Sequence, residues 1–272
     1  APTASPPQPL PRNLAPATSP PSHYPAMSKI RADQRLVECG LCESRSAAQQ
    51  LIKDQRVAFA DSAQPLRKPG QMVADDAQFT LDDQPRFVSR GAGKLLAAIT
   101  AFTPDIAGKV ALDIGASTGG FTDVLLTYGA NKVYAVDVGT AQLHAKLRQD
   151  PRVISIEQTN ARDLNRDLIP DPIAVLVADV SFISLTKILP ACVPLLAPAA
   201  WIMVLVKPQF EAEPRDIGKG GVVRDDAVRQ RAIQSVVACA QLQCHWQPLG
   251  VIPSPVIGPK GNQEYLAVFR NP

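Results

Sequence analysis

The sequence predicts an α/β fold: a doubly wound, mostly parallel sheet preceded by a small α+β unit and a proline-rich tail. Three observations carry that expectation. From Arg86 onward, short apolar segments alternate with helix-period segments, as strands and crossover helices of a parallel sheet do. The strand Val110-Ala111-Leu112 runs into a glycine-rich loop, Asp113-Ile114-Gly115-Ala116-Ser117-Thr118-Gly119-Gly120-Phe121-Thr122-Asp123, placed where a parallel strand must turn into its helix. Residues 29–83 break the alternation, and residues 1–28 carry prolines at 3, 6, 7, 9, 11, 16, 20, 21 and 25 among Ala, Ser and Thr. A chain of 272 residues accommodates such a division, given ~100–200 residues per domain.

In chain order, the composition of residues 1–28 predicts a disordered tail with no signal-peptide apolar region. Residues 29–83 predict a separate unit with helices at 33–38 and 44–53, Ser44 standing as an N-cap, and strand-like pieces at 57–59 and 78–81. A linker at 84–89 leads to the large domain, 90–272. There the strands read at 110–115, 132–138, 153–157, 173–180, 201–207, 245–252 and 264–270, and the helices at 91–102, 118–128, 140–149, 184–197 and 224–241. The turn-rich stretch from Pro253 to Asn262 joins the last two strands as a hairpin, so the final strand of the seven runs antiparallel.

The loop chemistry separates two cofactor classes. Glycines at 115, 119 and 120 let the backbone approach a ligand closely. A dinucleotide loop sets a pyrophosphate on the helix N-terminus and needs an uncharged Gly-x-Gly-x-x-Gly, whereas this loop opens with the carboxylate Asp113. An anion there suits the sulfonium and amino group of S-adenosylmethionine. One strand later, Lys132-Val133-Tyr134-Ala135-Val136-Asp137 ends in an acid placed to accept from ribose hydroxyls. The expected cofactor residues are Asp113, Gly115, Ser117, Thr118, Gly119, Gly120, Phe121, Asp137 and Val138, with Asn160 and Arg162 after the third strand, and Asp179.

Topology then gathers scattered residues. Ligands bind at the carboxyl edge of such sheets, where Asp179 follows Val175-Leu176-Val177 and Lys207 follows Met203-Val204-Leu205-Val206. An antiparallel last strand starts at that edge, which places Glu264 there. The helix feeding the first strand also begins there, which adds Lys94. Taken singly, Asp179 serves equally as a helix cap, Glu264 as an edge-strand charge and Lys94 as a solvated first-turn residue. Together the four suit methyl transfer to a hydroxyl, an in-line displacement in which positioning supplies as much as ~7–11 kcal/mol of the barrier. A lysine takes the hydroxyl proton only in its neutral form, and a neighbouring cation favours that form.

Two resemblances sharpen this reading. The string from Arg35 to Lys53, followed by Arg56-Val57 and Lys68-Pro69-Gly70, resembles the S4-type RNA-binding domain. Further segments carry the second: Val88-Ser89-Arg90-Gly91-Ala92-Gly93-Lys94-Leu95, the loop at 113–123, Asp179-Val180-Ser181-Phe182, Lys207-Pro208-Gln209-Phe210-Glu211, Gly218-Lys219-Gly220-Gly221 and Gly261-Asn262-Gln263-Glu264. From about residue 29 to the C-terminus the chain resembles the TlyA family, in which an S4-type domain precedes an FtsJ-like methyltransferase domain with a Lys-Asp-Lys-Glu tetrad. Members methylate ribose 2′-hydroxyls of cytidines in ribosomal RNA, and some bear the name hemolysin. The resemblance implies a Rossmann-like seven-stranded methyltransferase sheet and S-adenosylmethionine as cofactor. It further implies ribosomal RNA and ribosomal subunits as partners, a cytoplasmic setting, and Lys94, Asp179, Lys207 and Glu264 as the tetrad. Lys207 is expected to hold the hydroxyl, with Lys94 or the pair handling its proton. Phe87 stands in the linker where the family usually has Trp.

RNA contacts are expected from Arg31, Arg35, Arg45, Lys53 and Arg56 in the small unit and from Arg90, Lys219 and Arg224 in the large one. The cations of residues 29–83 are outnumbered by acids, so they bind phosphate only if segregated onto one face. The loop 211–224, with glycines at 218, 220 and 221, reads as a substrate-side lid. A net charge of +3 does not by itself imply a nucleic-acid partner. The five cysteines include Cys39-x-x-Cys42 but no second such pair, which predicts free thiols and no metal site. No apolar run approaches the ~18 residues of a membrane span. A small-molecule methyltransferase has no use for the N-terminal module or paired lysines, and a noncatalytic RNA binder has none for the tetrad.

Overall fold

An alanine and a larger aliphatic residue four positions on turn one face of each early helix inward, and the small unit is built on that spacing. The computed structural model describes residues 28–53, 56–62, 64–81 and 87–272, and the chain divides into two units, 1–83 and 84–272. The expected tail, apart from Ser28, and residues 84–86 of the expected linker lie outside the described residues. In the small unit β1 (Lys29–Arg31) leads into α1 (Ala32–Glu38) and α2 (Arg45–Lys53), followed by β2 (Val57–Phe59), β3 (Met72–Ala74) and β4 (Phe79–Leu81). Ala32 and Leu36 of α1 meet Ala48 and Ile52 of α2 over Val57, Leu66, Val73 and Phe79. Ser44 caps α2 as expected, its Oγ accepting from the Ala47 N–H at 3.2 Å. β1 pairs antiparallel with β3, and β2 with β4. β1 and β3, which pair with each other, were not among the expected strands.

Asp33 is fully buried at the start of α1. It accepts from Arg31 Nε (2.9 Å) and Nη2 (2.8 Å), Arg45 Nη2 (3.3 Å) and Gln49 Nε2 (2.8 Å). The Arg31 guanidinium holds the Asp33 carboxyl well below the usual carboxylate range. Arg35 donates to the Ala77 carbonyl and lies 3.8 Å from Glu38. Three of the five cations expected to meet RNA from this unit therefore also pair with acids of the fold. Arg31 and Arg45 nonetheless remain half exposed.

The large unit continues with α3 (Ala92–Phe102), β5 (Val110–Ile114), α4 (Gly120–Thr127), β6 (Lys132–Val136), α5 (Ala145–Arg148) and β7 (Val153–Ile156). Then come β8 (Ile173–Ala178), α6 (Leu189–Cys192), β9 (Leu196–Val206), α7 (Pro208–Glu211), α8 (Asp226–Leu242), β10 (Gln247–Pro253) and β11 (Tyr265–Arg270). Seven strands form one sheet in the order β10-β11-β9-β8-β5-β6-β7. β11 runs antiparallel to both neighbours, and β9-β8-β5-β6-β7 are mutually parallel. Alternate strand residues feed two cores, Leu112, Leu176, Ile202 and Phe269 on one face and Ala111, Val175, Met203 and Val268 on the other. Burial on both faces is why these strands read as continuous apolar runs.

Two expected helices are shorter than their periodicity suggests. Residues 184–197 break into a 3-10 turn, Leu185–Lys187, then α6, then a second turn, Val193–Leu195. Pro190 and Pro194 lack the N–H that a continuous helix needs and restrict the residues before them. In place of a helix from 140, the segment before α5 turns back: Ala141, at φ +53°, donates its N–H to Glu157, and the Gln158 N–H bonds to the Gly139 carbonyl. β9 also starts earlier than expected, at Leu196.

Candidate active site

The glycine-rich loop is shaped by what stands beside it. Gly115 has φ +77°, and a Cβ there would lie 2.5 Å from the backbone oxygen of Asp179. Only glycine lets the end of β5 lie so close to the end of β8. Gly119, at φ +97°, turns the chain into α4, and a Cβ on Gly120 would stand 3.0 Å from the Ser89 Cβ and 3.2 Å from the Ala92 nitrogen. The Asp137 carboxylate fixes the loop from the other side, accepting from the Ser117 N–H (2.8 Å) and the Gly139 N–H (2.7 Å). A cavity of about 570 Å³ opens over this loop, lined by Gly115, Ser117, Thr118, Gly120 and Phe121 on one side and by Lys94, Asp179, Ser181 and Lys207 on the other. Ser89, Arg90 and the Val256-Ile257-Gly258 segment complete its wall.

Not every expected cofactor residue lies on that wall. Asp113 is fully buried beneath the loop, with one oxygen accepting from Thr122 Oγ1 at 2.7 Å and the other without a partner. Burial pushes its carboxyl up to about 7. Its expected role as a charge facing the donor is corrected accordingly: it supports the loop from below. Asn160 caps the turn Ala161–Asp163, its Oδ1 accepting from the backbone N–H and Nε of Arg162, so these two residues hold each other. Val138 is exposed at the end of β6.

The four tetrad residues do converge. Lys94 Nζ, in the first turn of α3, lies 2.7 Å from Glu264 Oε2 and 3.5 Å from Asp179 Oδ2. Lys207 Nζ lies 2.6 Å from Asp179 Oδ1 and donates to Ser181 Oγ at 2.9 Å. Pairing of Tyr265 with Val206 sets Glu264 beside Lys207 across the β9–β11 ladder. Both lysines and Glu264 are buried, and two ammonium groups balance two carboxylates, which is how such charges persist away from water. The structure adds two partners that spacing alone did not single out, Ser181 and Gln209, whose Nε2 donates to Glu264 Oε1 at 3.3 Å. A Cβ on Gly258 would lie 2.3 Å from Glu264 Oε1, so the glycine makes room for the carboxylate. The signal for these partners was their nearness to Asp179, Lys207 and Glu264 in sequence.

Beside the cavity, Phe182 is 90% exposed at φ +65° and stacks obliquely on Phe210, with ring centroids 5.0 Å apart. The loop 211–224, expected as a substrate-side lid, is held at several points in this structure. Asn262, buried, accepts from the Val223 N–H and donates to the Gly221 carbonyl, while Arg231 pairs with Asp216. Lys219 and Arg224 are exposed on it. Among the described residues no group of three or more His, Cys, Asp or Glu is placed to hold a metal, and no helix is long and apolar enough to cross a membrane.

Comparison with known proteins agrees with this geometry. The family model for FtsJ-like methyltransferases matches residues 87–271. A 16S/23S rRNA (cytidine-2′-O)-methyltransferase, TlyA, from Mycobacterium tuberculosis is 45% identical over 244 residues, 89% of this chain and 90% of the relative. Hemolysin A from Brachyspira hyodysenteriae is 43% identical over 241 residues, 88% and 99% of the two chains. Among solved structures, a protein designated hemolysin from Streptococcus thermophilus superposes with a TM-score of 0.67 at 40% identity, covering 90% of each chain.

Proposed function

This chain belongs to the FtsJ-like methyltransferase family, within its TlyA branch, and we propose that it transfers methyl groups from S-adenosylmethionine to ribose 2′-hydroxyls of cytidines in ribosomal RNA. The observation that carries the reading is the convergence of Lys94, Asp179 and Lys207, with Glu264 buried behind Lys94, at a cavity also lined by the glycine-rich loop. The residues present fit the cofactor. Gly115 and Gly120 pack the loop against Asp179, Ser89 and Ala92 and present it along the cavity wall without side chains of their own, and Asp137 ties the loop to the end of β6. Bound there, S-adenosylmethionine supplies an electrophilic methyl group, held by the 115–121 loop and Asp137.

The chain's own residues do the rest. Lys207, fixed by Asp179 and Ser181, faces the cavity and holds the acceptor hydroxyl. Lys94, fixed by Glu264 and Asp179, works with Lys207 on the hydroxyl proton, and the four act as one coupled set. Phe182 offers an exposed ring next to Ser181 on which a nucleobase stacks, a feature that suits RNA rather than a small polar acceptor. The unit at 29–83 acts as an S4-type module that supplies affinity for structured RNA, through Lys53 and Arg56 and the half-exposed guanidinium groups that Asp33 sets in place. Arg90, Lys219 and Arg224 add phosphate contacts around the cavity. The acceptors are ribosomal subunits or their RNA, and the working compartment is the cytoplasm that contains them.

Mass mapping of ribosomal RNA incubated with the protein and S-adenosylmethionine tests the proposal. New 2′-O-methylcytidine that depends on both supports it. Methyl groups confined to bases, or their absence, would reject it.

A further inference from the structure

Glu211 is a half-buried carboxylate that the proposed chemistry does not use. It ends α7, four residues after Lys207, and reaches across to the segment that follows Asp179. Its Oε1 accepts from the Leu185 N–H at 2.8 Å and its Oε2 from Ser184 Oγ at 2.5 Å. Between these bonds and the tetrad, Phe210 stacks on Phe182. The segments after β8 and β9 are thus joined at three successive points: Lys207 to Asp179 and Ser181, Phe210 to Phe182, and Glu211 to Ser184 and Leu185. Phe182 lies between the first and third joints in a left-handed conformation that a phenylalanine rarely adopts. An exposed ring in such a conformation stays raised only where the flanking backbone is held.

We propose that Glu211 is a positioning residue for the RNA substrate, fixing the 179–185 segment so that Phe182 stands beside the reacting ribose. This rests on the methyltransferase reading above. A purely local packing role would change stability alone, whereas the positioning role changes how the enzyme handles RNA and leaves the cofactor loop untouched.

The test uses the full chain with Glu211→Ala, Glu211→Gln, Phe182→Ala and the Glu211→Ala/Phe182→Ala double variant, measuring kcat and KM for ribosomal RNA, S-adenosylmethionine affinity, and amide hydrogen exchange of residues 180–187. Glu211→Ala is expected to lower kcat/KM for RNA about ten- to a hundredfold, as misplacement of a reacting partner does. Cofactor affinity stays unchanged. The double variant falls no further than the worse single one, because both substitutions remove the same element. Glu211→Gln, whose amide oxygen still accepts from Leu185, restores most of the activity. Hydrogen exchange at Leu185 rises in Glu211→Ala and not in Glu211→Gln. Wild-type kcat/KM in Glu211→Ala, fully multiplicative losses in the double variant, or equal loss of cofactor binding would overturn the proposal. If the wild-type protein methylates no RNA, the functional reading fails by itself. The exchange data then still decide whether Glu211 holds the segment, and unchanged exchange in Glu211→Ala rejects that.

Discussion

Lys94 and Glu264 are separated by 170 residues of chain and meet at 2.7 Å, the ammonium of a helix start against the carboxylate of a strand start. The contact fastens α3 to the start of the antiparallel strand β11, and Lys94 also lies 3.5 Å from Asp179. Glu264→Ala leaves a buried ammonium with one partner in place of two. Folding stability is expected to fall by about 3 kcal/mol, the low end for a broken buried pair because Asp179 remains. Chemical denaturation measures that loss. Glu264→Gln keeps the packing against Gly258, and its methylation rate is expected to fall while the cofactor still binds. Full activity in Glu264→Gln would remove Glu264 from the reacting set.

Phe182→Ala is expected to weaken productive RNA binding by ~1–3 kcal/mol, the worth of one stacked base. Cofactor affinity, read by calorimetry, should not move. A parallel loss of both would mean that the ring supports the cavity instead of a base.

Asp113 gives a pH signature. Its carboxyl titrates near 7 in the folded protein because it is buried, and lower when the chain is unfolded and the group is hydrated. The folded state therefore holds the proton more tightly. The contribution is fully present below the unfolded value near ~4 and is lost as the pH rises through about 7. Asp113→Asn, neutral at every pH and still able to accept from Thr122, should melt like the wild type at pH 5 and above it at pH 8.5. A stability difference independent of pH would contradict the assignment.

Asp33 behaves with the opposite sign. Its carboxyl is lowered by Arg31, so its contribution is present above the usual carboxylate range and disappears as the solution is acidified through that range and below. Asp33→Ala should destabilise the small unit and also weaken RNA binding, since it releases the Arg31 and Arg45 side chains it orients. Lys53→Ala should instead leave stability intact while reducing affinity and flattening its salt dependence. Unchanged RNA affinity in both variants would deny this unit a share in binding.

The large domain was legible because a buried parallel sheet writes itself as apolar runs, and because sheet topology sends the ends of the parallel strands and the start of the antiparallel last strand to one edge. That is how Asp179, Lys207 and Glu264 could be assembled from segments far apart. Less legible was anything set by side chains meeting across the fold. The sequence shows Asp113 as a charge at a strand end, and only the burial revealed by the structure makes it a support beneath the loop with a raised pKa. Arg31 and Arg45 look like free cations until Asp33 is found between them. Asn262 shows why the glycines of 218–221 form a fastened turn, a fact no local pattern could carry. At 184–197 the apolar periodicity was the misleading signal, and Pro190 and Pro194, whose effect on a continuous helix was not weighed, mark where it breaks.

The central claim is that Lys207 and its partners act on a ribose hydroxyl of RNA, and the direct measurement is mass mapping of ribosomal RNA treated with wild-type, Lys207→Ala and Lys207→Arg proteins in the presence of S-adenosylmethionine. New 2′-O-methylcytidine is expected with the wild type alone, while all three proteins bind the cofactor alike. Arginine should not substitute, because its guanidinium keeps its proton throughout the accessible pH range. Near-normal 2′-O-methylation by Lys207→Arg would make the lysine an electrostatic anchor and contradict the mechanism. Methyl groups found only on bases would contradict the reaction itself.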